Sequence, residues 1–432
     1  MPGVAPGSLA ATFPVFTAAL LVVCTLCLTG YVTRIDSGSG LINRKRRYFA
    51  SQYGETMKSG IRRAPLSPAV LLAGLALHSA TVQAQSSVTL YGLVDTAVRY
   101  TTHADKAGND RTQLSNGGLS ESQWGLLGSE DLGGGNSVVF QLEDRFFANS
   151  GANDPAYPFF NTAFVGLRSS TFGRLTLGRQ LNPLSDAVVR TYVSNAWLPT
   201  VYTFRPEFGM AQGAWTSNMA KYAARWQDVT LELSYVFGGV AGAFGAGSQI
   251  GASLTYLPGW PLRMAAGYLD TRDAENTSAH FKTWTAGGAY TFGDTTMSAG
   301  WIVNREDRAY VGNAPNGPFT PAQLTALGFT QFSSREMFFG GITQLVGTWT
   351  HLSANVWRTL QTGKNASGNG NATQFQLVAD YGISRRTDVY LEADYSMYSG
   401  GLIGAQLQGV NGTSSAGGSN QLGLMAGLRH SF

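Results

Sequence analysis

The sequence predicts an all-β fold: a transmembrane antiparallel β-barrel of 16 strands. Three observations point there. From Gln85 to Phe432 no segment sustains an apolar period of 3.6 residues, whereas many alternate with a period of two. Charged residues make up 13% of the chain, about half the usual quarter for soluble domains, while aromatics reach 12% and glycine 54 residues. Short and long polar connections also alternate along the chain, as they do in barrels with turns on one membrane face and loops on the other.

The first 84 residues stand apart. They hold eight Lys/Arg (Arg34, Arg44, Lys45, Arg46, Arg47, Lys58, Arg62, Arg63) and two acids (Asp36, Glu55), which leaves 22 basic and 24 acidic residues from Gln85 onward. The net charge of +4 therefore belongs to the leader, and the rest of the chain carries no basic surface for nucleic acid. Both cysteines, Cys24 and Cys27, lie in an apolar run of that leader without a second ligand pair, so neither a disulfide framework nor a metal site is expected. Met57 opens a three-part export signal, residues 57–84. Lys58, Arg62 and Arg63 form its positive end, Pro65 to Ala80 its apolar middle, and Val82-Gln83-Ala84 its small-residue cleavage site. Residues 1–56 are read as an extension from a start codon chosen upstream of the true one.

The strands each show an apolar and an ionic face. Val88, Leu90, Val94, Val98 and Tyr100 alternate with Thr89, Tyr91, Asp95 and Arg99. Val229, Leu231, Leu233, Tyr235 and Phe237 alternate with Thr230, Glu232 and Ser234. Val389, Leu391, Ala393, Tyr395 and Met397 alternate with Asp388, Glu392 and Asp394. Apolar rows this aromatic, on segments of about ten residues, fit a wall with lipid outside and water inside.

Tight turns fall at Asp131 to Asn136, Ser169 to Gly173, Trp226 to Asp228, Leu257 to Pro261, Phe292 to Asp294, near Gly347, and Ser384 to Asp388. Long connections fall at about 102–118, 148–158, 181–216, 239–246, 272–280, 306–334, 361–371 and 399–419. Sixteen strands follow; the turn near Gly347 is the least marked, and a different reading there would give fourteen or eighteen. Because lipid satisfies no free strand edge, Ser87–Thr101 must pair with Gln421–Phe432, and the terminal Phe432 is the expected closure signal. The connection 181–216 shows neither helical nor strand period and mixes Asp186, Arg190, Arg205 and Glu207 with Tyr192, Trp197, Tyr202, Phe204 and Phe208. Its length and composition alone favour an external loop, although the mixture also suits the lining of a wet passage.

Several segments resemble the general porins of beta-proteobacteria: Ser87-Val88-Thr89-Leu90-Tyr91-Gly92, Gly128-Ser129-Glu130-Asp131-Leu132-Gly133, Phe140-Gln141-Leu142-Glu143, Leu177-Gly178-Arg179-Gln180 and Gly427-Leu428-Arg429-His430-Ser431-Phe432. The resemblance runs in order from Gln85 to Phe432. It implies a 16-stranded homotrimer in the outer membrane, among lipid and lipopolysaccharide, passing ions and small hydrophilic solutes. It also implies that the third loop enters the lumen opposite a basic cluster. Arg179 matches a constriction arginine, yet alternation from Leu175 and Leu177 turns it toward lipid, so a bulge near Gly178 is expected to redirect it. Where the family usually has basic residues this chain has Gln123, Leu127 and Trp215. Arg99, Arg145, Arg179 and Lys221 remain as wall candidates, opposed by Asp186 and Glu207, which implies a pore less anion-selective than its relatives.

Other function classes have little support in the residues. His103, His280, His351 and His430 accompany no serine nucleophile motif, and no Gly-x-Ser-x-Gly elbow exists, so no enzyme is expected. The loop acids show no coordination spacing, and no cofactor or metal is expected. A substrate-specific channel for sugars or organic anions is the alternative, with Trp197, Tyr202, Phe204, Phe208 and Trp215 as an aromatic slide; a loop-mediated adhesin is a weaker one.

Overall fold

The computed structural model describes residues 87–105, 107–115, 117–154, 159–192, 213–259, 261–311, 316, 332–403 and 418–432. The leader, with the expected signal at 57–84 and extension at 1–56, lies outside the described residues.

Period-two segments become strands, and from the third strand onward each pairs with the next in sequence. The order is β1 (Ser87–Thr101), β2 (Arg111–Leu114), β3 (Gln123–Gly133), β4 (Asn136–Arg145), β5 (Thr162–Ser169), β6 (Gly173–Leu181), β7 (Trp215–Trp226), β8 (Val229–Val236) and β9 (Gln249–Tyr256). It continues with β10 (Leu262–Arg272), β11 (His280–Phe292), β12 (Thr295–Glu306), β13 (Phe332–Val346), β14 (Thr350–Gly363), β15 (Gly370–Gly382), β16 (Thr387–Gly400) and β17 (Asn420–Ser431). Both β2 and β3 pair with β1, so they occupy one position in the wall and the closed antiparallel ring has 16.

The ring closes between its ends. β1 pairs with β17 from Leu93↔Ser431 to Thr101↔Gly423, and Gly92 and Phe432 exchange backbone hydrogen bonds at 3.0 and 3.3 Å. Phe432 thus sits at the seam, where the closure signal was expected.

Two faces separate. Leu90, Val94, Val165, Leu177, Leu254, Ile342, Leu377 and Leu428 are exposed, while Asp95, Arg99, Gln141, Glu232, Gln376, Glu392 and Asp394 are buried. An apolar exterior on this scale is inadmissible in water. In lipid it is required, because hydrocarbon faces the outward residues while the closed ladder satisfies the backbone. Exposed Phe172, Trp226, Tyr256 and Phe292 mark the short-turn ends, as an aromatic girdle does.

Two sequence expectations need correction. The connection expected over 102–118 is interrupted, because Arg111–Leu114 already pairs with Val98–Thr101 and a second excursion, 115–122, precedes β3. The segment expected to lack any helix begins with one, α1 (Pro183–Arg190).

Candidate functional site

The helix starts where local chemistry allows it. Asn182 is extended (φ −71°, ψ 160°), and its side-chain oxygen accepts from the Ser185 N–H at 2.8 Å. Pro183, which has no N–H to leave unsatisfied, opens the first turn. At the other end the Thr191 hydroxyl donates to the Ala187 carbonyl at 2.6 Å. Eight residues in water would not hold this shape, so packing must supply the stability.

Leu184, Val188 and Tyr192, spaced by four, supply that packing. They are buried with Leu269, Ile302, Met337, Phe339 and Trp357, residues of the wall face that elsewhere carries ions. Burying each such side chain contributes roughly 1.5–3 kcal/mol. Tyr192 also donates or accepts a 2.7 Å hydrogen bond with Thr285, and its ring lies where a Cβ on Gly287 or Gly300 would stand. Sequence reasoning missed this apolar patch. Its signal was β13, where Met337, Phe338 and Phe339 are apolar on both faces, as strands are when both sides are covered.

Next to this patch lies the first charge cluster. Lys221 Nζ on β7 is 2.5 Å from Asp186 Oδ2 and donates to the Leu181 carbonyl at 2.9 Å. Arg190 lies 3.4 Å from Glu232 on β8 and 3.9 Å from Asp186, one turn back along the helix. Burial opposes ionisation of Asp186, but the Lys221 ammonium and the Arg190 guanidinium hold its carboxyl below the ordinary range. The sequence placed Asp186 and Lys221 on opposite banks of a water gap; the structure puts them in contact.

The other wall candidates are distributed around the ring. Arg99 is buried between Glu392 at 3.1 Å and Asp394 at 2.7 Å, and its Nε donates to Thr101 at 3.2 Å. Arg145 pairs with Glu121, and its guanidinium lies over the Trp215 ring at 4.2 Å. Gln123 stands directly opposite Arg145 and Leu127 opposite Gln141, which puts both on the ion-bearing face. Arg179 flanks the register shift between Gly178 and Gln180, where a bulge was expected, and Gly178 has φ 136°, which a side chain would strain. Arg179 Nη1 donates to Ser217 at 2.8 Å; among the described residues, the cations in ion-pair contact with Asp186 are Lys221 and Arg190. Arg205 and Glu207, with Trp197, Tyr202, Phe204 and Phe208, lie outside the described residues.

The acids that complete these pairs, Glu121, Glu232, Glu392 and Asp394, were not among the expected site residues. For Glu232, Glu392 and Asp394 the only sequence signal was alternation with apolar neighbours, which fixes a face but not a partner, and Glu121, between Ser120 and Ser122, had none.

Comparison with known proteins agrees with this geometry. The family described as Gram-negative porin matches residues 69–401. An outer membrane porin protein of Bordetella pertussis is 27% identical over 383 residues, covering 77% of this chain and 93% of the relative. Outer membrane porin protein 32 of Delftia acidovorans is 27% identical over 374 residues, covering 84% of this chain and 99% of the relative. Among solved structures, an anion-selective porin from Comamonas acidovorans has the same fold at a TM-score of 0.63 and 24% identity, covering 81% of this chain and 100% of that one. Family and fold point to a channel rather than an enzyme. A closed wall with lipid-compatible residues outside and paired ions inside thus has its relatives among outer-membrane channels, and the chain belongs to the Gram-negative porin family.

Proposed function

We propose that this porin is a general diffusion pore with weak preference between anions and cations. The observation that carries the reading is the pairing of its inward cations: Arg99 with Glu392 and Asp394, Lys221 with Asp186, and Arg190 with Glu232. A charge held against its counter-charge contributes little field to the solution beyond it. Gln123, Leu127 and Trp215 stand where basic residues would strengthen anion preference, in contrast to the Comamonas relative described as anion-selective.

In this reading segment 181–216 narrows the lumen, with α1 as its anchored root on β8–β11. Passage involves no bond making. Solutes diffuse through water and are sorted by width and by the residual charge at the narrowing. Export with loss of 57–84, assembly as a homotrimer, and contact of the outer rim with lipopolysaccharide complete the proposal.

The test is the reversal potential of reconstituted channels under a tenfold KCl gradient. A value near zero supports weak selectivity. A potential approaching that of pure chloride conduction would overturn it.

A further inference from the structure

The second position in the wall is broken. β2 ends at Leu114, opposite Val98, and β3 begins at Gln123, opposite Leu93. Four residues of β1, Val94 to Ala97, therefore face eight, 115–122. The surplus leaves the wall as a small hairpin closed by a bridge between Gly117 and Glu121.

Its base remains bound to β1. The Ser115 N–H donates to the Ala97 carbonyl at 2.7 Å, and the Ser122 hydroxyl donates to the Asp95 carbonyl at 3.1 Å. Its tip lies on the ion-bearing face of β1 and β15–β17. There Leu119 is buried with Ala97, Val378, Tyr390 and Met425. The Ser120 N–H donates to Asp95 Oδ2 at 2.7 Å, Arg429 donates to the Ser120 hydroxyl at 3.0 Å, and the Tyr390 hydroxyl holds the other Asp95 oxygen at 2.5 Å. This patch adjoins the one that holds α1, whose buried Trp357 lies on β14 next to β15.

Glu121 closes the hairpin and pairs with Arg145. Among the ion pairs of the described residues, Glu121 is the most exposed acid. The side chains of Arg99 and Glu392 are 0% and 1% exposed and those of Lys221 and Asp186 3% and 1%, whereas Arg145 and Glu121 keep 11% and 28%.

We propose that the 117–121 hairpin is a second inward element of the pore and that Glu121 is a selectivity-determining residue, holding Arg145 neutralised at the water boundary. The proposal rests on the reading of the lumen as an open, weakly selective path. It deepens that reading by naming the residue that keeps the preference weak.

Reversal potentials of single-site variants test it. Glu121→Gln removes the carboxylate beside Arg145 and should raise the chloride-over-potassium permeability ratio about threefold. Arg145→Gln should lower the ratio, and the double variant should return to the wild-type value. Glu130→Gln, exposed at the short-turn end of β3, should leave it unchanged. Should Glu121→Gln fail to assemble, the fall in Arg145→Gln still decides the matter. Wild-type ratios in Glu121→Gln and Arg145→Gln, in channels of normal conductance, would overturn the role of Glu121 while leaving the pore standing. A Glu121→Gln shift that persists in the double variant would also overturn it. A wild-type ratio strongly favouring chloride would instead overturn the weakly selective reading on which the proposal rests.

Discussion

Asp186 holds together two things that water would separate, a buried lysine and the first turn of α1. The ammonium of its partner Lys221 hydrogen-bonds the Asp186 carboxylate and the Leu181 carbonyl. Removing one member of a buried pair leaves the other uncompensated, at a cost of about 3–5 kcal/mol. Asp186→Ala should therefore undock α1 rather than merely subtract a charge. In single-channel records the variant should show a changed and noisier open level at neutral pH. A steady open level identical to wild type would show that the pair does not anchor the helix.

At the scale of elements, α1 and the hairpin 115–122 are both short pieces held by the wall. Tyr192 can lie flat because β11 and β12 present Gly287 and Gly300 beneath its ring. Gly300→Val should displace it, at about 1–3 kcal/mol for an overpacked site. Tyr192→Phe removes only the hydrogen bond to Thr285, about 1 kcal/mol. Thermal unfolding in detergent should rank Gly300→Val below Tyr192→Phe, and equal midpoints would contradict the packing argument. These elements also show where sequence reading runs out. Strands such as Val229–Val236 were legible because lipid on one side and water on the other force a period of two on the residues themselves. The helix was not, since eight residues give too few turns for a period to emerge, although Asn182-Pro183 marked its start. Nor was the hairpin, because Ser115 reads as a loop residue until its pairing with β1 is known. Partners were less legible still: Arg99 finds Glu392 at a separation of 293 residues, and alternation says only that both face inward.

For the whole molecule, the closed ring links all of this. Sixteen wall positions joined through β1 and β17 leave no edge for lipid to strip, and the apolar exterior then has a solvent it can tolerate. The same closure turns Asp95, Arg99, Glu232, Glu392 and Asp394 inward, where Arg99 pairs with Glu392 and Asp394. Addition of the purified protein to a planar lipid bilayer tests this most directly. A sealed tube filled with water should give stepwise, ohmic conductance increments whose size doubles when the KCl concentration doubles. Absence of steps from folded protein, or increments that saturate at low salt, would contradict an open aqueous channel.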